Sequence, residues 1–180
     1  TTSCAIPGLV NGTVFAITVT ATNANGTSVA STTVLGAPAV AAALYGSGVN
    51  GNGELGDGTT TQRTSFTQAG AVTTWTQATA GSNFSCMVRA NGTLWCVGLN
   101  GLGQLGNGGT ANTTTITQVG TGTTWLAVSA GSGHACAVRT DTTLWCWGYN
   151  NSGQVGDATS GTNRLNPTQV SVPAATGWRQ

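Results

Sequence analysis

The chain has almost no charge. Only 5% of its 180 residues are charged, lysine does not occur, and the five arginines stand singly at Arg63, Arg89, Arg139, Arg164 and Arg179. A surface that tracks nucleic-acid phosphates exchanges clustered positive charge for counterions, so no nucleic-acid partner is expected. Long apolar runs are missing too. Short apolar stretches are broken by Gly, Asn, Thr and Ser, whereas a spanning helix needs roughly 20 apolar residues in succession, so no membrane span is expected in this segment. There is no basic start, apolar h-region or cleavage site, and no initiating Met. The expectation is a stretch without a signal peptide whose beginning lies elsewhere. Acid and base groups are equally scarce: Glu54, Asp57, Asp141, Asp157 and the single histidine His134. They form no nucleophile, base and acid set, so the expectation is a non-enzymatic chain without a cofactor. No segment holds a 3.6-residue apolar period over a helical length.

What the sequence does have is self-similarity. Leu94-Trp95-Cys96-Val97-Gly98 returns fifty residues later as Leu144-Trp145-Cys146-Trp147-Gly148, with a weaker copy at Leu44-Tyr45-Gly46. Asn50-x-x-Gly53-Glu54-Leu55-Gly56-Asp57 matches Asn100-x-x-Gly103-Gln104-Leu105-Gly106-Asn107 and Asn150-x-x-Gly153-Gln154-Val155-Gly156-Asp157. Each copy runs through a Thr-rich variable stretch to a Thr-Gln pair and then to Trp75, Trp125 or Trp178; the last copy carries one extra residue before Thr168 and two before Trp178. The unit closes with Ala80 to Arg89, repeated as Ala130 to Arg139. Insertions confined to such stretches read as surface loops on a fixed scaffold. Asn91-Gly92 between two apolar runs is a strong hairpin signal. Four short strands per unit of about fifty residues predict a propeller blade.

Leu-Trp-Cys-Trp-Gly-x-Asn-x-x-Gly-Gln-Leu-Gly followed by Ala-Gly-x-x-His-x-Cys-Ala-Val resembles the repeat of the regulator of chromosome condensation (RCC1) family, and the resemblance covers residues 44–180. It implies an all-β chain holding two to three blades of an incomplete β-propeller. The scaffold carries functions from nuclear exchange factor to secreted enzyme inhibitor, so it does not fix the activity. Residues 1–35 alternate apolar and polar side chains around Phe15, Ile17, Val19 and Ala21 and resemble the last strands of a fibronectin type III domain, with Phe15 where that family places a corner tyrosine. Such a sandwich takes about 100 residues, so residues 1–35 read as its C-terminal part, and 36–43 as a linker. Both ends read as truncated.

Cys86 and Cys96 lie ten residues apart across the Asn91-Gly92 turn, and Cys136 and Cys146 repeat that spacing. Directly opposed antiparallel positions can be bridged, and each bridge would add roughly 2–3 kcal/mol by chain entropy. Disulfides, buried thiols and a zinc site are the readings open here. The opposed register favours disulfides, and the Cys-x-x-Cys knuckles that zinc usually takes are missing. Oxidised pairs would mean an extracellular or periplasmic setting. Cys4 has no evident partner.

Repeat logic sorts the remaining candidates. Gly51-x-Gly53-x-x-Gly56 and Gly101-x-Gly103-x-x-Gly106 match a dinucleotide fingerprint, but neither opens a helix, so they read as turn glycines. His134 takes the place of Phe84, which favours a packed ring. Asp57 and Asp157 share a position with Asn107, which favours turn hydrogen bonding. Trp147 replaces Val97 and is either core or an exposed anchor. The variable stretches 59–66, 108–116 and 158–166 are where a ligand would be met, with Arg63, Phe66, Trp147 and Arg164 as candidate contacts. The function expected is an extracellular protein-recognition or adhesion module, with a protein or carbohydrate ligand at the propeller loops. The alternatives are an exchange-factor-like regulator of a small GTPase and an accessory or inhibitory domain of a secreted hydrolase.

Overall fold

The computed structural model describes residues 42–170 continuously and the backbone of 15–17, 22–23, 26–27 and 34–36. The chain divides into two compact units, Thr1–Val40 and Ala41–Gln180. In the first, β1 (Phe15–Ile17) pairs antiparallel with β4 (Val34–Gly36), and β2 (Thr22–Asn23) with β3 (Gly26–Thr27). Most of the fibronectin-like stretch, including Cys4 and the side chain of Phe15, lies outside the described residues, as do most of the proposed linker and Trp178.

Among its described residues the second unit is all β. A two-stranded sheet joins β5 (Tyr45–Gly48) to β6 (Arg63–Gln68). Two four-stranded antiparallel meanders follow: β7 (Trp75–Ala80), β8 (Phe84–Arg89), β9 (Leu94–Gly98) and β10 (Thr113–Gln118), then β11 (Trp125–Ala130), β12 (His134–Arg139), β13 (Leu144–Gly148) and β14 (Arg164–Gln169). The structural unit therefore begins at the Trp75 and Trp125 positions, 19 residues before the Leu-Trp-Cys string at Leu94 and Leu144. The β5–β6 sheet corresponds to the last two strands of a blade.

Thr-rich and β-branched strands separated by Gly turns account for these elements locally. Burial comes from stacking one sheet on the next. Phe84, Cys86, Val88, Leu94, Cys96 and Leu105 share one core cluster with Trp125, Val128, Ala135, Ala137 and Trp147 of the following sheet. Side-chain to backbone bonds tie the same two sheets: Val128 N donates to Gln77 Oε1 at 2.8 Å, and Ala130 N to Thr79 Oγ1 at 3.2 Å. The β5–β6 and β9–β10 loops also reach the following sheet, through Gly58 N to Thr114 O at 3.1 Å and Gly108 N to Leu165 O at 2.9 Å.

Candidate functional site

The four blade cysteines form two disulfides, Cys86–Cys96 and Cys136–Cys146. In each hairpin the two cysteines face one another in register, as do their flanking pairs Met87↔Trp95 and Ala137↔Trp145. Two crosslinks at one repeat position are compatible with an oxidising environment. Among the described residues no group of three or more His, Cys, Asp and Glu side chains could hold a metal ion, and no helix is long and apolar enough to cross a membrane.

The variable stretches hang from one buried asparagine per repeat. Asn50, Asn100 and Asn150 are fully buried. Their side-chain oxygens accept from Leu55, Leu105 and Val155 N at 3.0 Å each. The Nδ2 groups donate forward into the loop: Asn50 to Thr59 O and Thr61 O, Asn100 to Gly109 O, and Asn150 to Thr159 O and Thr162 O. A buried amide with every group bonded fixes the loop base. The one-residue insertion in the last repeat lies between Thr159 and Thr162, where the second acceptor moves from eleven to twelve residues after the asparagine. The glycines of the apparent dinucleotide fingerprint are turn residues of this same base. Gly106 has φ +64°, and a Cβ there would lie 2.8 Å from Trp147 Nε1.

Two of the four candidate contact residues are occupied by the scaffold. Arg63 Nε donates to Asp57 Oδ2 at 2.6 Å, and Arg164 Nε to Asp157 Oδ2 at 2.5 Å. Both guanidiniums also reach the following threonine, Thr59 or Thr159. Burial works against ionisation of Asp57, but hydrogen bonds from Thr59, Arg63 and Asn50 outweigh it and lower its pKa to about 2. The Thr159 hydroxyl, Arg164 and the Thr159 amide bring Asp157 to about 2 as well. Turn hydrogen bonding at this position is what the Asp/Asn exchange suggested, and Asn107 caps the same turn by accepting from Gly109 N at 3.1 Å.

Trp147 is a core residue. It is 0% exposed, donates from Nε1 to Gln104 O at 2.7 Å, and packs against Trp125 with ring centroids 6.4 Å apart. Of its two sequence readings, the exposed anchor is corrected: a bulky ring at the Val97 position fills the space above Gly106 of the preceding blade. Phe66 is the opposite case. It is 76% exposed and, with Tyr45, lines a cleft of about 360 Å³ against Ala78, Ala80 and Met87.

Sequence reasoning passed over one arrangement. Arg89 is sandwiched between Trp75 and Trp95, its guanidinium carbon 4.7 and 3.9 Å from the ring centroids, and Arg139 sits likewise between Trp125 and Trp145 at 4.5 and 4.1 Å. The outer tryptophans are oriented by Trp95 Nε1 to Thr93 Oγ1 and Trp145 Nε1 to Thr143 Oγ1. Burial pushes the Arg89 guanidinium below its ordinary value, and the ring faces partly replace the lost solvent. The signal was present: Arg and both Trp recur at an offset of fifty.

The comparisons with known proteins agree with this geometry. A family model for the regulator of chromosome condensation (RCC1) repeat matches residues 75–104 and 125–154, and a second model for the same repeat matches 141–180. The chain carries RCC1 repeats. Human WBSCR16 is a structural neighbour at TM-score 0.69 and 18% identity, over 82% of this chain and 38% of that one. So are yeast RCC1 (Prp20) in a structure of Kap60 bound to it, at TM-score 0.62 and 19% identity over 71% and 32%, and Prp20p from Saccharomyces cerevisiae, at 0.60 and 20% over 71% and 33%. These similarities show the RCC1 propeller fold, of which this chain spans less than two-fifths of each neighbour's length. No curated protein matches the sequence.

Proposed function

We propose that this RCC1-repeat chain is part of an extracellular, non-enzymatic recognition module that meets a protein ligand through the variable loops of its blades. The observation that carries the reading is the pair of disulfides at one repeat position in neighbouring blades, which suits an oxidising exterior and sits poorly with a reduced, nuclear-type exchange factor. The repeats also leave recognition to the variable stretches. Their arginines are engaged with Asp57 and Asp157, and Phe66 remains as the large exposed apolar side chain within them. An exposed aromatic held on a strand, as Phe66 is on β6, is a suitable interface anchor. A fibronectin-type neighbour at residues 1–35 belongs to the same reading and rests on the alternating pattern alone.

The test is thiol mapping on protein taken from its native source without reductant. Peptides joined through Cys86–Cys96 and Cys136–Cys146 are expected. Four free blade thiols would remove the basis of the extracellular reading.

A further inference from the structure

Repeats offer an internal control: what a position needs for packing is what its counterpart supplies. Two positions on one cleft depart from that control. The cleft lies between the second and third sheets, has a volume of about 380 Å³, and is lined by Ser82, Gln104, Ser132, His134, Tyr149 and Gln154 among others. The counterpart of His134 is Phe84, which is 1% exposed and packs as core; the counterpart of Tyr149 is Leu99. An imidazole and a phenol thus replace two plain apolar groups, and both replacements line the same cleft.

The rest of the wall combines apolar Leu99 and Leu102 with neutral polar groups. Ser82 Oγ and Ser132 Oγ are 3.0 Å apart, and Ser82 N donates to Ser132 O at 3.3 Å, which fixes one blade's turn against the next. Gln104 is 1% exposed and Gln154 half-buried. Each uses its carbonyl to accept from a backbone amide, Leu102 N at 2.8 Å and Ser152 N at 2.9 Å. Both side-chain amides line the cleft beside these turns. No Asp, Glu, Lys or Arg lines the space, so a charged ligand would lose its hydration without gaining a counter-charge.

We infer that this cleft binds a neutral saccharide, with Tyr149 and His134 against a sugar face and Ser82, Ser132, Gln104 and Gln154 meeting its hydroxyls. Aromatic rings beside neutral donors and acceptors match a polyol that is apolar on its C–H faces and polar at its rim, and the volume falls within the ~300–1,000 Å³ of small-molecule sites. The cleft shares no residue with the variable stretches 59–66, 108–116 and 158–166, so it is separate from the proposed protein-binding loops and stands or falls independently of them.

The experiment is calorimetric titration of the 180-residue chain, disulfides intact, with maltohexaose, cellohexaose, chitohexaose and a heparin-derived hexasaccharide. The test variant combines His134→Phe with Tyr149→Leu, which copies the first blade into the second. Gly131 faces His134 as Gly81 faces Phe84, so the variant should fold with its thermal midpoint and disulfides unchanged. At least one neutral hexasaccharide is expected to bind, and the double variant to bind it at least about tenfold more weakly. Binding of none of the neutral sugars, equal or tighter binding of the heparin fragment, or undiminished binding by the folded variant would each overturn the assignment.

Discussion

The two four-stranded blades are the same object in different surroundings. Their hairpins share one register, Phe84↔Gly98 through Val88↔Leu94 in the first and His134↔Gly148 through Val138↔Leu144 in the second. Yet Val88 and Leu94 are 2% and 0% exposed, while Val138 and Leu144 are only half-buried. The β11–β14 sheet covers the first blade, and no described residue covers the equivalent face of the second. The opposite side of the first blade gives the same answer. Val128 of β11 is buried against it, whereas its counterpart Ala78, beside the two-stranded β5–β6 sheet, is exposed. A blade is one sheet thick, so its core is made with its neighbour. Among the described residues, the core lies chiefly at the junction between β7–β10 and β11–β14.

The residue that most tests this is Trp147. It is the bulkiest fully buried side chain in the described residues and bonds across the junction to Gln104 O. Trp147→Ala should cost about 3–5 kcal/mol, read as a fall in the urea midpoint. Val97→Ala, at the same position in the first blade, should cost less because it removes fewer buried atoms. Equal losses would mean that the junction is not the main core.

The disulfides come next. Each closes a loop of the same length, so replacing either pair by alanine should cost a similar ~2–3 kcal/mol by chain entropy. They should differ in accessibility. Cys86 and Cys96 are both 0% exposed, whereas Cys136 is half-buried. Graded reductant followed by alkylation and mass spectrometry should open Cys136–Cys146 first. Simultaneous opening of both, or Cys86–Cys96 first, would break the contrast between the covered and uncovered blade.

How much of this could be read from the sequence depends on whether a feature recurs. The cystine pairing, the all-β blades and the turn role of Asp57, Asn107 and Asp157 were legible because each appears at a constant offset, which separates scaffold from accident. Where a position departs from its copies, the repeat is silent: Trp147 was left between core and surface, and only the packing above Gly106 decides it. Arg63 and Arg164 looked available because their partners lie six and seven residues back, across a loop whose path is set by the buried Asn50 and Asn150. The blade boundary was not legible, because the sheet is delimited by strand pairing, which the Leu-Trp-Cys string does not encode.

The loop bases should also separate the repeats by pH. Asp57 and Asp157 have folded pKa values of about 2 against an ordinary 3.8. A depressed carboxyl adds stability that is present above its unfolded pKa and is lost as pH falls through the folded value. Stability should therefore decline between about pH 4 and pH 2. Asn107 does not titrate, so the middle repeat contributes nothing at this position. The double variant Asp57→Asn, Asp157→Asn is expected to be less stable at pH 7 and to show a flatter slope from pH 4 to 2 in urea titrations. A slope unchanged from the parent would assign the acid sensitivity elsewhere.

The smallest effect lies at the hairpin tips. Gly92 has φ +73°, and a Cβ there would lie 2.2 Å from Thr123 O, so the covered blade needs glycine both for its backbone and for the approach of the next blade. Thr142 holds the same place in the second blade with φ +66°. A β-branched residue in the left-handed region is strained by roughly 1–2 kcal/mol. Thr142→Gly relieves that strain but adds unfolded-state entropy of about 0.5–1 kcal/mol. The net gain should be at most about 1.5 kcal/mol, seen as a small rise in thermal midpoint. A loss of stability would show that the Thr142 side chain makes a contact worth more than its strain, and that the uncovered tip is as tightly specified as the covered one.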